Sequence, residues 1–599
     1  MIKKLYFLLS SSERKQLWFL LIIMVFGALL DAVGVAVFFP FIALLKNPEY
    51  ISQYPTIEKQ LQEFGIHGAQ QVIVLFSVFL ILFFVLKNLF LIYMNYRQYR
   101  FTFRSQVNLA NRLYQKYIYS HYEFHIQTNS SELYRNLREN SLWVFNSVLY
   151  PMITIVTETF VVLFILSILM VVSPLVTSYV VAAFVAIGFI FNTSIKSKSK
   201  YHGKRQQNSL INMNLWINQG LHGIKEIKLG QNEAYFFKHF CKYTKHYANN
   251  NIYAKTIDSL PKPILETLLI VGIAISVIVV VSNGKDFIEL LPTIALFAFA
   301  AIRLMPSANR IMTALGGIKF FKQSLNNIYA EFANNNGVVN KAAPDSKHPL
   351  KFNNSIALKQ ISYQYPETNQ MQLNDLSLLI NKGDFVGIAG STGCGKSTLV
   401  DVFTGLLKPQ AGEILIDNIS LTENTMAQWR QCIAYIPQSV YFLDDSIKHN
   451  IAFGQEDELI DIDKINHALK CTNLYDHIYN LEKNINTTIG ENGVKFSGGQ
   501  KQRLGIARAL YFDAEILILD ETTSALDAIT EEHVMKTIRS LQGSKTIIMI
   551  THRLKTIKAA DQIYFMEYGQ VKSSGTFNQL YENNQEFAKM AKENYNPHS

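Results

Sequence analysis

The sequence predicts two fused folds: an all-α membrane domain of six helices, then an α/β domain of the phosphate-loop class. Three observations carry this. Six stretches before residue 311 are long and apolar enough to cross a bilayer. The basic residues collect beside those stretches instead of forming one patch. A strand-like run, Phe385 to Ala389, leads directly into Gly-Ser-Thr-Gly-Cys-Gly-Lys-Ser. At 599 residues, 49% hydrophobic and 17% charged, the chain is too long for one ordinary domain and too apolar to be wholly soluble.

A bilayer core of about 30 Å needs about 20 apolar residues per helix. The spans are expected at 17–45, 72–95, 144–171, 175–193, 263–282 and 288–310. Leu17 to Leu45 is too long for the apolar part of a signal peptide, so it reads as an uncleaved first span. Spans three and four are joined by Ser173-Pro174, and spans five and six by a turn with Asn283 and Gly284. Between Lys46 and Gln70, Ile57, Leu61 and Phe64 recur at helical spacing, as an interfacial or loop helix would have them. The segment 331–350 is rich in Asn, Ala and Lys without periodicity, and reads as a linker. The expected domains are therefore 1–330, membrane-spanning, and 351–599, α/β.

The formal charge of +10 invites a nucleic-acid reading, but the distribution opposes it. Arg97, Arg100, Arg104, Arg112, Lys116, Arg135 and Arg138 lie between spans two and three, and the connection 196–262 is richer still in Lys. Positive residues mark the cytoplasmic side, so both connections and both termini are expected inside. Both connections are longer than a link requires and read as helices leaving the bilayer, with tips near Ser130 to Arg135 and Gln231 to Phe237. Cys241, Cys394, Cys432 and Cys471 have no paired spacing and read as free thiols.

In the loop Gly390-Ser391-Thr392-Gly393-Cys394-Gly395-Lys396-Ser397, followed by Thr398, glycines let backbone N–H groups wrap phosphates. Lys396 would reach the outer phosphates of ATP, and Ser397 would bind Mg²⁺. Downstream come Phe496-Ser497-Gly498-Gly499-Gln500 and the strand Ile516 to Leu519, ending in Asp520-Glu521. With these motifs in order, 351–580 resembles the ABC ATPases. The resemblance implies an aromatic on adenine at Tyr365, a Q-loop residue contacting Mg²⁺ at Gln438, and a Mg²⁺-supporting carboxylate at Asp520. It further implies that Glu521 polarises the attacking water, that Ser524-Ala525-Leu526-Asp527 forms the D-loop and that His552 is the switch histidine. Phe496 and Thr522 depart from the usual family residues without removing a group that touches phosphate. The resemblance also implies that Ser497, Gly498, Gly499 and Gln500 face the nucleotide on a second copy, so a homodimer is expected.

Thr487 to Gly493 resembles the x-loop of ABC exporters, and with six spans ahead of the ATPase it implies an exporter, the two connections passing motion between the halves. Charges inside spans are costly and are functional candidates. Lys87 and Arg303 fall at similar depth, Ser307 and Arg310 continue a stripe on span six beside Pro306, and Lys262 lies lower. Such cations suit a phosphate or pyrophosphate head group. The same residues also suit snorkelling, pairing of Lys262 with Glu266, and neutralisation by Asp31 or Glu158. From Met1-Ile2-Lys3-Lys4-Leu5 to Leu304-Met305-Pro306-Ser307-Ala308-Asn309-Arg310-Ile311, the membrane half resembles the lipid-linked oligosaccharide flippases of bacterial protein N-glycosylation. That implies a polyprenyl-pyrophosphate glycan moved from the inner to the outer leaflet of the bacterial cytoplasmic membrane. A lipid A or multidrug exporter is the alternative.

Overall fold

The structure, a computed structural model, describes residues 1–46, 63, 69–172, 174–264, 266–267, 270–271, 274, 287–333, 350, 352–366, 368–490, 493–522 and 527–593. The outer-loop helix, most of the fifth span with the turn after it, Ser173, nearly all of the linker, Ser524 to Leu526 and two residues of the x-loop segment lie outside the described residues. Contacts divide the chain into Met1–Ser120 with Thr128–Val339, and His121–Gln127 with Asn340–Ser599.

The first unit is helical. A short α1 (Ile2–Leu8) precedes α2 (Ser11–Lys46) and α3 (Ala69–Ile118). At about 1.5 Å per residue, the 50 residues of α3 reach about 75 Å, far beyond a bilayer core. The sequence's expectation that spans continue as helix is met here. A second long run, α5 (Ser130–Val172), contains two π-helical segments, Asn136–Asn140 and Val144–Leu149. It ends at Val172, two positions before the proline that opens α6 (Pro174–His222), where a missing N–H costs nothing. The unit closes with α7 (Ile224–Leu229), α8 (Glu233–Ser259) and α9 (Phe287–Ala333). The helix α9 thus runs three residues into the stretch expected as linker. Among the described residues, three helical runs are long and apolar enough to cross a membrane: Ser11–Lys46, Gln70–Ile118 and Ser130–Val172.

Packing follows helical spacing. Ala28, Ala32 and Val35 of α2 meet Val161, Ile165 and Leu169 of α5 and Leu296, Ala300 and Leu304 of α9. Small residues on α2 permit that close approach. The crossing of α6 and α9 is tighter still, since a Cβ on Gly203 would lie 2.2 Å from the carbonyl oxygen of Phe320.

The second unit includes helix α4 (Tyr122–Gln127), whose Glu123 accepts a hydrogen bond from the Tyr363 hydroxyl at 3.2 Å. An antiparallel sheet of order β2-β1-β4-β5 uses β1 (Ser355–Tyr363), β2 (Leu373–Asn381), β4 (Ala411–Ile416) and β5 (Ile419–Ser420). The second sheet, of order β10-β9-β3-β8-β7-β6, uses β3 (Phe385–Gly390), β6 (Ile433–Ile436), β7 (Ile516–Asp520), β8 (Thr546–Ile550), β9 (Gln562–Glu567) and β10 (Gln570–Gly575). Only β10 runs antiparallel to its neighbour. Every residue of β3, β7 and β8 is buried, as parallel strands covered on both faces require. Helix α10 (Lys396–Phe403) follows the phosphate loop, and α11 (Gly498–Tyr511) follows the Ser-Gly-Gly-Gln motif. Phe496 is buried with Phe442, Ile489 and Leu504, so the departure at this position is absorbed by packing.

Candidate functional site

In an open parallel sheet, ligands collect beyond the carboxyl ends of the strands. Four adjacent strands deliver the sequence-predicted residues there: the phosphate loop follows β3, Gln438 follows β6, Asp520-Glu521 ends β7, and His552 follows β8.

The loop is shaped by Gly395, whose φ of +104° is left-handed and whose Cβ would stand 2.5 Å from the Gln372 carbonyl oxygen. Lys396 Nζ donates to the carbonyl oxygens of Gly390 and Ser391, both at 2.9 Å, holding the ammonium over the loop. Ser391, Gly393 and Ser397 are exposed, whereas Cys394 and Thr398 are buried beneath them. The hydroxyls of Thr398 and Tyr365 lie 3.3 Å apart, which brings the expected adenine-stacking ring beside α10.

Glu521 is the centre of the arrangement. Its Oε2 accepts from Gln438 Nε2 at 2.7 Å, and its Oε1 lies 2.9 Å from His552 Nδ1. Its φ of +48° is costly for a residue with a side chain, and such strain clusters at functional sites. The Glu521 N–H bond to the Ile550 carbonyl, 2.9 Å, fixes that geometry to the sheet. A carboxylate held between an amide and an imidazole can orient and polarise a water without turning away. The three residues expected to be catalytic therefore meet.

Asp520 is buried, and Tyr435 donates its phenol to Oδ2 at 3.0 Å. Burial pushes the Asp520 carboxyl above its usual range and the charge of Glu521 adds to this, while the Tyr435 hydrogen bond and Lys396 oppose it. Asp401, on α10, is pushed up to about 6, by burial first and then by Asp520. This partly buried concentration of negative charge is what a divalent cation would relieve. The donor set fits Mg²⁺: the Ser397 hydroxyl, the Asp520 carboxylate and the Gln438 amide are oxygen ligands of the kind Mg²⁺ takes.

Sequence reasoning missed Tyr435, Asp401 and Glu123. Tyr435 had a faint signal, a hydroxyl in the strand Ile-Ala-Tyr-Ile three residues before Gln438. Asp401 and Glu123 had none, because their relevance arises only from tertiary placement. The tip that joins the α/β unit is also α4, at Tyr122–Gln127, several residues before the expected Ser130 to Arg135, which stays with the helical unit.

Ser497 caps α11 in a reciprocal capping box with Gln500, leaving Gly498 and Gly499 as the first residues of a 14-residue helix. Ser497 and Gly498 are exposed. Such an end favours an anion.

In the helical unit, the intramembrane cations are paired. Lys87 lies 3.2 Å from Asp31 Oδ1, Arg303 bonds Asp31 Oδ2, and Arg310 Nε donates to Glu158 Oε1 at 2.6 Å. Asp31 is 3% exposed, so both cations converge on one buried carboxylate and leave one positive charge in surplus. Lys262 is exposed and stands apart from these pairs. Ser307, fully buried, donates to the Arg303 carbonyl.

Fold and site together define a membrane-embedded phosphate-loop ATPase. Residues 373–524 match the family model of the ABC transporter, and residues 16–307 that of the ABC transporter transmembrane region. The chain belongs to the ABC transporter family, as an exporter half-transporter that binds and hydrolyses ATP and passes through the membrane several times. An ATP-dependent lipid A-core flippase of Ralstonia nicotianae is 30% identical over 437 residues, 72% of each chain. The protein of that name from Paraburkholderia xenovorans is 28% identical over 443 residues, 73% of this chain and 72% of the relative. In fold the chain matches a bacterial Atm1-family ABC exporter with ATP bound, at TM-score 0.76 and 20% identity over 96% of this chain and 99% of the other.

Proposed function

We propose that two copies of this chain form an ATP-driven exporter that moves a phosphorylated glycolipid of the lipid A-core class from the inner to the outer leaflet of the bacterial cytoplasmic membrane. The observation that carries the ATP-driven part is Glu521 held between Gln438 and His552. The cargo class rests on the relatives, whose common description is lipid A-core flippase. They favour it over a polyprenyl-pyrophosphate glycan. Both termini and the basic ends of α3 and α6 lie in the cytoplasm, because Arg and Lys gather there.

In this reading the Gly390–Thr398 loop and Lys396 hold the phosphates and Tyr365 stacks on adenine. Ser397, Asp520 and Gln438 would hold Mg²⁺, which would neutralise phosphate charge. Glu521 orients the water and His552 steadies it. Ser497, Gly498, Gly499 and Gln500 of each copy close over the nucleotide on the other, which makes hydrolysis depend on dimerisation. Helix α4 transmits the result to the spans.

One observation keeps the lipid-linked oligosaccharide reading alive as a second. The surplus positive charge at Asp31, Lys87 and Arg303 suits a pyrophosphate, and Arg310 would join it if Glu158 were displaced. Proteoliposome flipping of fluorescent lipid A-core and of a fluorescent polyprenyl-pyrophosphate glycan separates the readings. ATP-dependent transfer of lipid A-core alone is the expected outcome; transfer of the glycan alone reverses the assignment, and transfer of neither rejects both.

A further inference from the structure

The helical unit contains a second cationic site, apart from the paired level. A cavity of about 250 Å³ lies between the start of α2 and the middle of α3, lined by Phe19, Leu20, Ile23, Arg97, Arg100 and Arg104, among others. The two helices run antiparallel here. Gly27 lies against Leu91 and Met94, while Asn108 donates to Glu13 at 3.1 Å. The cavity lies between these levels. Arg97, Arg100 and Arg104, at i, i+3 and i+7, share one face of α3.

Several cations elsewhere in this unit have partners: Lys87, Arg303 and Arg310 have carboxylates, and Arg112 donates to the Leu8 carbonyl at 2.7 Å. Among the described residues, none of the three cavity arginines is in an ion pair or a hydrogen bond; Arg97 lies 6.0 Å over the ring of Phe19. The nearby acid, Glu13, is occupied by Asn108 and by the Ser10 N–H at 2.7 Å. Phe19, Leu20 and Ile23, with Gln16, form the opposite wall; exposed Trp18 and Ile22 lie on the same helix, and exposed Tyr96 lies beside Arg97 on α3. Trp and Tyr mark the membrane interface, so the cavity sits at head-group level, and the basic α3 end puts that level at the inner leaflet in the orientation proposed above.

We propose that this cavity binds the phosphodiester head group of an anionic phospholipid resident in the inner leaflet, such as phosphatidylglycerol or cardiolipin. Three unpaired guanidiniums offer paired donors to phosphate oxygens, and the apolar wall receives the upper part of an acyl chain. A soluble phosphate compound would meet the same arginines but lose the apolar wall. Only the leaflet assignment rests on the proposed orientation, and the site is independent of the cargo.

The test titrates delipidated full-length protein in neutral detergent with phosphatidylglycerol, cardiolipin, phosphatidylethanolamine, lipid A-core and glycerophosphate, and reads occupancy by native mass spectrometry. The two anionic phospholipids should bind tightest, and added salt should weaken them. In Arg97→Gln/Arg100→Gln/Arg104→Gln their affinity should fall roughly a hundredfold, at about fivefold per arginine. The corresponding triple lysine variant keeps charge and should fall by less, roughly tenfold. Ile23→Trp, which fills the cavity and spares the arginines, should also weaken binding, and it carries the test if the glutamine variant does not fold. Wild-type affinity in all three variants overturns the proposal, as does phosphatidylethanolamine or glycerophosphate binding as tightly as phosphatidylglycerol, or binding of lipid A-core alone. ATP binding and hydrolysis in the same preparations report separately on the export reading.

Discussion

Two acidic centres, one half-buried and one buried, solve opposite problems. Glu521 is held by an amide and an imidazole, at the carboxyl end of a strand inside a parallel sheet. Asp31 is held by two cations, in helices surrounded by lipid. An amide and an imidazole, one on each oxygen, fix the orientation of the carboxylate, whereas two permanent cations spend its charge on electrostatic balance. The first arrangement is suited to chemistry and the second to holding helices in register. Glu521→Gln should therefore give the largest functional loss of any single change, roughly a thousandfold in ATP turnover, with nucleotide binding retained. Radiolabelled ATP binding beside phosphate release checks this; turnover within a few-fold of wild type removes Glu521 from its role.

The matching change at the other centre should act on stability instead. Asp31→Asn strands Lys87 and Arg303 away from water, at about 3 kcal/mol. Detergent-solubilised protein should melt at lower temperature, and adding Lys87→Leu should recover part of the loss because one stranded charge is gone. A double variant no more stable than Asp31→Asn alone would mean the carboxylate serves something other than these cations.

The two centres also differed in how far the sequence revealed them. Lys396 sits in a motif whose spacing marks a phosphate loop, and the resemblance to the ABC ATPases placed Asp520, Glu521 and His552 by number before any geometry existed. Span charges carry no such grammar. Lys87 and Arg303 are 216 positions apart, and only helix packing reveals that they share Asp31. Asp31 and Glu158 were visible as neutralising candidates, but a helix-by-helix reading could not tell which cation each would meet. The α4 tip escaped for the same reason: Tyr122 to Gln127 has no motif, and its membership of the α/β unit depends on contacts such as Glu123 with Tyr363.

Tyr435 offers a finer test of the chemical centre. Tyr435→Phe removes the phenol from Asp520 at a net cost of about 1 kcal/mol, and the burial that lifts the carboxyl is then less opposed. The Mg²⁺ concentration for half-maximal turnover should rise several-fold, with little change in maximal rate once Mg²⁺ saturates. A fall in maximal rate at unchanged Mg²⁺ dependence would instead put Tyr435 in the chemical step.

The smallest effect concerns the surplus negative charge at the chemical centre. Asp401 has a folded-state pKa of about 6 against an ordinary value of 3.8, so between these values the folded chain binds more protons than the unfolded one. Stability is therefore lost as pH rises through that window, and the deficit is complete above it. Asp401→Asn removes the deficit: without nucleotide the variant should be more stable than wild type at neutral pH, by about 1 kcal/mol because solvent screens this half-buried group, and nearly equal to it near pH 4. Bound Mg²⁺ and ATP should narrow the gap by balancing the charge of Asp520, so thermal unfolding at two pH values, with and without nucleotide, isolates the electrostatic contribution. An advantage for Asp401→Asn that is the same at both pH values would assign the effect to packing around α10.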